Sequence, residues 1–327
     1  MSEPTRPPLT ELDRRIVGAL QVNGRASWRR IAAALGEPER TVARRGSDLL
    51  RSGVVSVVAT AARGEAAVLR IRCAPGAARL VGSVLAGRVE CTSCYLLTGR
   101  VHCHAEVFVP RGRLASFALD EVNATRGLLE VETHMVTRYF RGVHRWRPGL
   151  VTSQEAAGLT DEPDEPAPST GAAALPVLTR EDRVIRDALA ADGRMANEAL
   201  ARLAGVSEPT AQRRVRSLLS TTRVNVRAVV DPALIGLHVC AVVWIQARPG
   251  RVDEIGKALA ESPYVRYAAA TTGEFQLVAD LAVPDMPALH EALTGSAWAE
   301  HATVVESAVI VEAPKRSGVV RVEDERR

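Results

Sequence analysis

The chain has 327 residues, 46% of them apolar, enough to fill the cores of two or more ordinary domains. Its start, Met1-Ser2-Glu3-Pro4-Thr5-Arg6, lacks the apolar stretch of a secretion signal, and no apolar run nears the roughly 18 residues of a membrane span, so a cytoplasmic protein is expected. Five cysteines in a long chain do not form a disulfide framework, and a formal charge of +4 leans toward anionic partners without identifying one.

In chain order, Thr10-x-x-Asp13 opens the first element. The hydroxyl and the acid each meet free N–H groups at a helix start, and Ile16 and Leu20 follow as an i, i+4 apolar stripe. Gly24 is expected to end this helix. Residues 27–35 predict a second short helix, Gly36 a tight turn, and 38–51 a third helix, which together make a helix-turn-helix. On the third helix Val42, Gly46, Leu49 and Leu50 share a core face. Arg40, Thr41, Arg44, Ser47, Asp48 and Arg51 lie opposite, with Arg45 beside Arg44. Arginine and threonine on such a face suit phosphates and base edges in a major groove. The bland alternative is a solvated face in an Arg-rich chain, since only Lys257 and Lys315 are lysines.

The next stretch alternates strands and helices. Strands are expected at 68–73, 91–97, 105–109 and 130–140, helices at 77–85 and 114–122, and a hairpin at Gly99, the β-α-β-β-α-β order of a ferredoxin-like sandwich. Cys91-x-x-Cys94 and His102-Cys103-His104 bring thiols and imidazoles near one another, as a zinc site would. Their counterparts in the second half, Val265 for Cys91, Ala268 for Cys94 and Leu277 for Cys103, favour small buried hydrophobes instead. No metal, no other cofactor and no catalytic constellation is expected. Residues 148–177 read as an acidic, Pro-rich, flexible linker.

Beyond the linker the chain repeats itself, and residues 9–55 return without a gap as 178–224. Thr179, Asp182, Ile185, Leu189, Gly193-Arg194, Gly205, Thr210 and Arg213-Arg214 match Thr10, Asp13, Ile16, Leu20, Gly24-Arg25, Gly36, Thr41 and Arg44-Arg45. Val215 and Leu218 point inward, while Thr210, Arg213, Arg216 and Ser217 point out, with Arg214 adjoining them. The sandwich repeats too, as Pro75-Gly76 matches Pro249-Gly250 and Thr98-Gly99 matches Thr272-Gly273. The expected fold is α+β: two winged-helix-like helix-turn-helix domains alternating with two ferredoxin-like βαββαβ sandwiches. Boundaries fall at 1–60 and 64–145, the linker at 148–177, then 178–228, 236–314 and a basic tail at 315–327. Gly46 stands where Val215 packs, so the first head is expected to be softer and Gly46→Val to stabilise it. Ser220-Thr221-Thr222 lacks the Gly53-Val54-Val55 ending of the first head.

These motifs resemble the leucine-responsive/asparagine-regulator (Lrp/AsnC) family of transcription regulators, across nearly the whole chain outside linker and tails. Leu9-x-x-x-Asp13-x-x-Ile16, the Gly-Arg pair, the Arg-Arg recognition helix, and the link Val230-Asp231-Pro232 through Gly236-Leu237 carry the resemblance. It implies binding to double-stranded DNA, a small-molecule effector, and self-association through the sandwiches. It also implies that the hairpin loops Gly99-Arg100-Val101-His102 and Gly273-Glu274-Phe275-Gln276 meet an effector at a sandwich interface. The family's usual Asp three residues after the hairpin glycine is replaced by His102 and Gln276, so common amino acids are expected to bind weakly or not at all. Two rival readings remain. One is a siroheme-decarboxylase-like enzyme, also known as fused pairs, against which no Trp-Pro-Tyr-Asn-like stretch stands near the hairpin. The other is an effector- or partner-binding protein whose heads no longer bind DNA.

Overall fold

Residues 9–60, 64–160, 178–220 and 224–320 are described in a computed structural model. The first head is α1 (Glu11–Val22), α2 (Trp28–Leu35) and α3 (Glu39–Arg51). The Asp13 N–H donates to Thr10 Oγ1 at 3.3 Å and the Thr10 N–H to Asp13 Oδ2 at 3.1 Å, the reciprocal cap anticipated at this start. Gly36 holds the turn into α3 at φ 67°, in the left-handed region that favours glycine. Ile16, Leu20, Ile31, Leu35, Val42 and Leu49 close the core.

From β1 (Val55–Thr60) the chain enters β2 (Glu65–Cys73), α4 (Ala78–Gly87), β3 (Cys91–Leu97), β4 (Cys103–Val109), a π-helical turn at Ser116–Val122 and β5 (Leu128–Arg141). After the short α5 (Ser153–Ala157), the second head comprises α6 (Arg180–Ala191), α7 (Asn197–Ala204) and α8 (Glu208–Ser220). Then follow β6 (Asn225–Val230), β7 (Val239–Ala247), α9 (Val252–Glu261), β8 (Val265–Thr271), β9 (Leu277–Val283), α10 (Met286–Thr294), β10 (Ala302–Arg316) and β11 (Val319–Val320).

Four expectations need correction. First, β1 and β6 do not fold back as wings on their own heads. They pair antiparallel with each other, Val55 opposite Val230 and Thr60 opposite Asn225, and so join the two heads by a ribbon. Second, the two sheets are not separate. Their order runs β10-β3-β4-β2-β5-β8-β9-β7, and β7 pairs again with β10, which closes a barrel-like sheet. The cause is strand length. β5 has 14 residues and β10 has 15, so each outruns its own sheet. β5 leaves β2 near Met135 and pairs with β8 from Val136, while β10 leaves β7 near Val309 and pairs with β3 from Ile310. Among the described residues, closure leaves no long unpaired edge on the joined sheet.

Third, the linker is ordered through Thr160. Thr152 caps α5 in a capping box with Glu155, whose carboxylate takes a hydrogen bond from Arg15 at 2.6 Å. Leu150 and Val151 cover Gly18, and Leu159 is fully buried in the first core. The acidic stretch thus docks by three apolar side chains and one ion pair, features outweighed in the sequence by its proline content. Residues 161–177 lie outside the described residues. Fourth, the tail is structured at its start, because Lys315 and Arg316 are buried at the end of β10 and pair with Val320 and Val319. Residues 321–327, and the 221–223 ending of the second recognition helix, are likewise outside the described residues.

Candidate nucleic-acid interface

The outward faces of α3 and α8 carry the charges predicted for them, with one systematic exception. Arg40, Arg44 and Arg51 are exposed on α3, with Thr41 and Ser47 half-buried beside them. Arg213, Arg216 and Ser217 are exposed on α8, and half-buried Thr210 accepts a hydrogen bond from Ser207 Oγ at 2.9 Å. The exception is the second arginine of each Arg-Arg pair. Arg45 NH1 lies 3.0 Å from Asp13 Oδ1, and Arg214 NH1 2.8 Å from Asp182 Oδ1, so both guanidinium groups tie the recognition helix to the cap of the first helix of its head. Partial burial pushes the Asp13 and Asp182 carboxyls up, but hydrogen bonds from Thr10 and Arg45, and from Arg214 and Thr179, outweigh it and hold both low. Arg45 and Arg214 therefore set the angle of the reading helix rather than face outward.

The two faces are not equivalent. Asp48 on α3 sits 2.8 Å from Arg51 and 3.7 Å from Arg44, and neutralises part of that face. Its counterpart on α8 is the uncharged Ser217. The two faces nonetheless carry the same net charge, Arg40, Arg44 and Arg51 less Asp48 on one and Arg213 with Arg216 on the other, so neither head is marked as the firmer reader in the way the sequence suggested. The sequence argument, a soft first helix at Gly46, is overturned by the packing around that glycine. A Cβ on Gly46 would fall inside the Trp28 ring, whose bulk already fills the place of the missing side chain. The repeat swaps a pair of residues: Trp28 with Gly46 in one head, Asn197 with Val215 in the other. Gly46→Val is accordingly a clash, not a repair.

The Gly-Arg pairs clasp the heads together. Arg25 donates across to the Gly193 carbonyl at 2.7 Å, the Met195 carbonyl at 3.1 Å and Asn197 Oδ1 at 3.2 Å. Arg194 donates back to the Gly24 carbonyl at 2.6 Å and the Ala26 carbonyl at 3.0 Å, and its guanidinium lies 4.4 Å from the Trp28 ring centroid. Gly24 and Gly193 do not cap their helices, which end at Asn23 and Asp192. They are small because the opposite ribbon passes close: a Cβ would stand 3.1 Å from the Val226 carbonyl oxygen or 3.0 Å from that of Val57. Burial pushes both clasp guanidinium groups down from their ordinary range. Position alone marked these residues in the sequence; only the paired heads explain them.

The hairpin loops border the seam between the two sheets. The Thr98 N–H donates to the Val309 carbonyl at 2.9 Å, and the Thr272 N–H to the Met135 carbonyl at 2.9 Å, both where a long strand changes sheets. Gly99, Arg100, Gly273 and Glu274 are exposed. His102 and Gln276 turn back into their own halves. His102 Nδ1 accepts from the Cys73 N–H at 2.9 Å, and Gln276 Oε1 from the Ala247 N–H at 3.0 Å. Each braces its loop to the end of a neighbouring strand. Cys73, Cys91, Cys94 and Cys103 are buried in one apolar core, where burial raises the Cys91 thiol to about 12, and behave as the small hydrophobes expected.

The space between the sheets is more polar than the alternation implied. Glu106, on β4, accepts hydrogen bonds from Thr92 Oγ1 at 3.0 Å and the Tyr139 hydroxyl at 3.1 Å, and its counterpart Asp280 is buried on β9. His104 stacks on Tyr95 at 6.0 Å and meets Trp244 edge-on at 5.7 Å. Of these only His104 is marked in the sequence, as part of His102-Cys103-His104, because buried polar residues on inward strand positions follow no short motif.

Fold and surface together define a double-headed helix-turn-helix protein built on a joined α+β body. The AsnC-type helix-turn-helix domain model matches residues 9–49 and 178–219, and the Lrp/AsnC ligand-binding domain model matches 240–320. An uncharacterized HTH-type transcriptional regulator of Pyrococcus furiosus is 32% identical over 145 residues, covering 42% of this chain and 95% of the relative. The HTH-type transcriptional regulator FL11 of the same organism is 25% identical over 103 residues, 31% of this chain and 68% of the relative. The chain belongs to the Lrp/AsnC family of transcription regulators. Among solved structures, that of the siroheme decarboxylase NirDL aligns over 96% of this chain and 94% of its own at a TM-score of 0.61 and 14% identity, a likeness of fold. No helix among the described residues is long and apolar enough to cross a membrane.

Proposed function

We propose that the chain binds duplex DNA as a covalent pseudo-dimer, with α3 and α8 as its two reading helices. The observation that carries this reading is the reciprocal Arg25–Arg194 clasp, which fixes two arginine-bearing helices in one rigid pair. Arg44, Arg213 and Arg216 are the contacts to phosphates and bases, Arg40, Thr41, Ser47, Thr210 and Ser217 flank them, and Arg45 and Arg214 act by positioning. Residues 9–60 and 178–230 form the heads, and the two β-α-β-β-helix-β segments are ferredoxin-like units fused along their edges. A fixed pair of heads predicts an operator with two half-sites one helical turn, roughly 10 base pairs, apart or a multiple of it. Selection of bound fragments from random duplexes by the full chain tests this. Recovery of paired half-sites at constant spacing supports it, and recovery of no sequence above background at low salt opposes it.

Self-association beyond the fused pair and an effector at the hairpin seam belong to the same reading. His102 and Gln276, engaged with backbone, offer no carboxylate to an ammonium group, so the effector is not a common amino acid held there. A second reading, an enzyme acting on a tetrapyrrole, draws on the NirDL-like fold alone. The regulator reading predicts that the purified chain, mixed with an iron tetrapyrrole, neither binds it stoichiometrically nor releases carbon dioxide from it.

A further inference from the structure

The junction between the head ribbon and the joined sheets holds buried positive charge that the DNA-binding reading leaves unused. Arg227 on β6, Arg266 on β8 and Arg316 at the end of β10 are 6%, 1% and 7% exposed. Arg227 interacts electrostatically with Arg266 and Arg316, and among the described residues the carboxylate that faces Arg266 and Arg316 is Asp280. Among the described residues no acceptor reaches Nε of any of the three, nor NH1 of Arg266 and Arg316. Flat faces are occupied, since Arg266 lies 5.0 Å from the Trp146 ring centroid and Arg316 5.4 Å from that of Tyr95. The Tyr95 hydroxyl takes a hydrogen bond from the Arg266 edge, and what remains open is Nε of all three and NH1 of Arg266 and Arg316. Burial, with Arg266, Arg147 and Arg316 adding repulsion, pushes Arg227 down to about 9. A guanidinium is built to offer its edge to an oxyanion in a two-pronged fashion, and buried guanidinium groups without one are costly.

A cavity of about 120 Å³ opens at the Arg316 end of this cluster, lined by Arg316, His238, Cys240 and Ile310 among others but by neither Arg227 nor Arg266. Two acids stand at its margin, but both are engaged. Asp231 accepts the Ala233 N–H at 3.1 Å, and Glu312 pairs with Arg79. The volume approaches that of a cavity known to hold a benzene-sized molecule, about six heavy atoms. Thr92, Gly142 and Val58 occupy the matching places in the first half, so the cluster occurs once per chain and was not inherited with the repeat.

We infer that Arg316, with the charge of neighbouring Arg227 and Arg266 added to its own, forms a binding site for a small oxyanion, a metabolite bearing a carboxylate or phosphate group. The three side chains come from the head ribbon, the second sheet and the crossing strand, so the bound anion links the reading heads to the body. The site is separate from the hairpin loops, and its occupancy is measured without DNA.

The test is thermal melting of the full chain in millimolar inorganic phosphate or succinate against sodium chloride of equal ionic strength. A melting temperature that climbs with either anion, as mass action requires, supports the site, and which anion acts assigns phosphate or carboxylate. Arg316→Gln abolishes the shift and Arg266→Met weakens it, whatever either variant does to the melting temperature in chloride alone. Arg266→Lys keeps the charge but loses the fork, and weakens the response. No shift from either anion, or a shift that survives Arg316→Gln at full size, would overturn the inference.

Discussion

The exchange of Trp28/Gly46 for Asn197/Val215 between the two heads makes a quantitative prediction. Gly46→Val in the full chain forces the half-buried Trp28 ring aside. Overpacking of this kind costs about 1–3 kcal/mol, and the better helix propensity of valine returns only a few tenths. Trp28→Asn alone opens the same space and loses the Arg194 cation–π contact at 4.4 Å, together about 2–3 kcal/mol. The double variant recreates the pairing of the second head, in which valine fills the room the indole vacates. Its loss is therefore smaller than the sum of the singles, with a coupling of about 1.5–3 kcal/mol. Calorimetric melting of the four proteins measures this cycle. Additive losses, or a single Gly46→Val protein more stable than the parent, would falsify the account of Gly46.

Three further outcomes follow from the same geometry. Arg25→Ala removes charge-assisted bonds to the Gly193 and Met195 carbonyls, and should lower stability by about 2–4 kcal/mol and weaken binding to paired half-sites more than to a single one. Equal loss on both DNAs would show that the heads are not coupled through the clasp. Asp48→Ser should free Arg44 and Arg51 and tighten DNA binding about two- to five-fold at low salt, an effect that shrinks as salt rises; an unchanged affinity means that the first head does not touch DNA. Burial, with Arg70 and His134 adding repulsion, depresses His104 from 6.5 to about 3. A depressed base stabilises the fold fully above its unfolded value and loses that contribution as pH falls, here between about 6.5 and 3 at up to about 1.4 kcal/mol per unit. Asp280, raised to about 6 chiefly by burial, acts oppositely, its contribution lost as pH rises from 3.8 toward 6. His104→Phe, which keeps the stacking on Tyr95, should flatten the acid side of the melting profile, and an unaltered slope would count against a neutral buried His104.

How much of this was legible in the sequence depended on the range of the signal. Local signals carried through: the Thr10 and Thr179 caps, the Gly36 and Gly205 turns, and strand β3 at Cys91–Leu97 lie where pattern placed them. Signals that depend on the second copy did not. Arg25 and Arg194 look like surface arginines until the ribbons pair, and Gly46 looks like a defect until Trp28 is seen over it. The closed sheet escaped notice because a strand's partner is not written in its alternation; only the unusual lengths of β5 and β10 hinted that each has two. Leu150, Val151 and Leu159 are hard to tell from linker residues inside a Pro-rich acidic stretch, although three apolar anchors suffice to dock so short a segment.

The central claim, that two clasped heads read DNA through α3 and α8, is tested most directly by fluorescence anisotropy with a selected operator across a salt series. The full chain should bind with an affinity that falls steeply with salt. Arg44→Ala/Arg213→Ala should lose about 1–3 kcal/mol for each arginine that contacts a base or phosphate, with a shallower salt slope. Equal operator binding by the parent and this double variant, at equal thermal stability, would contradict the claim.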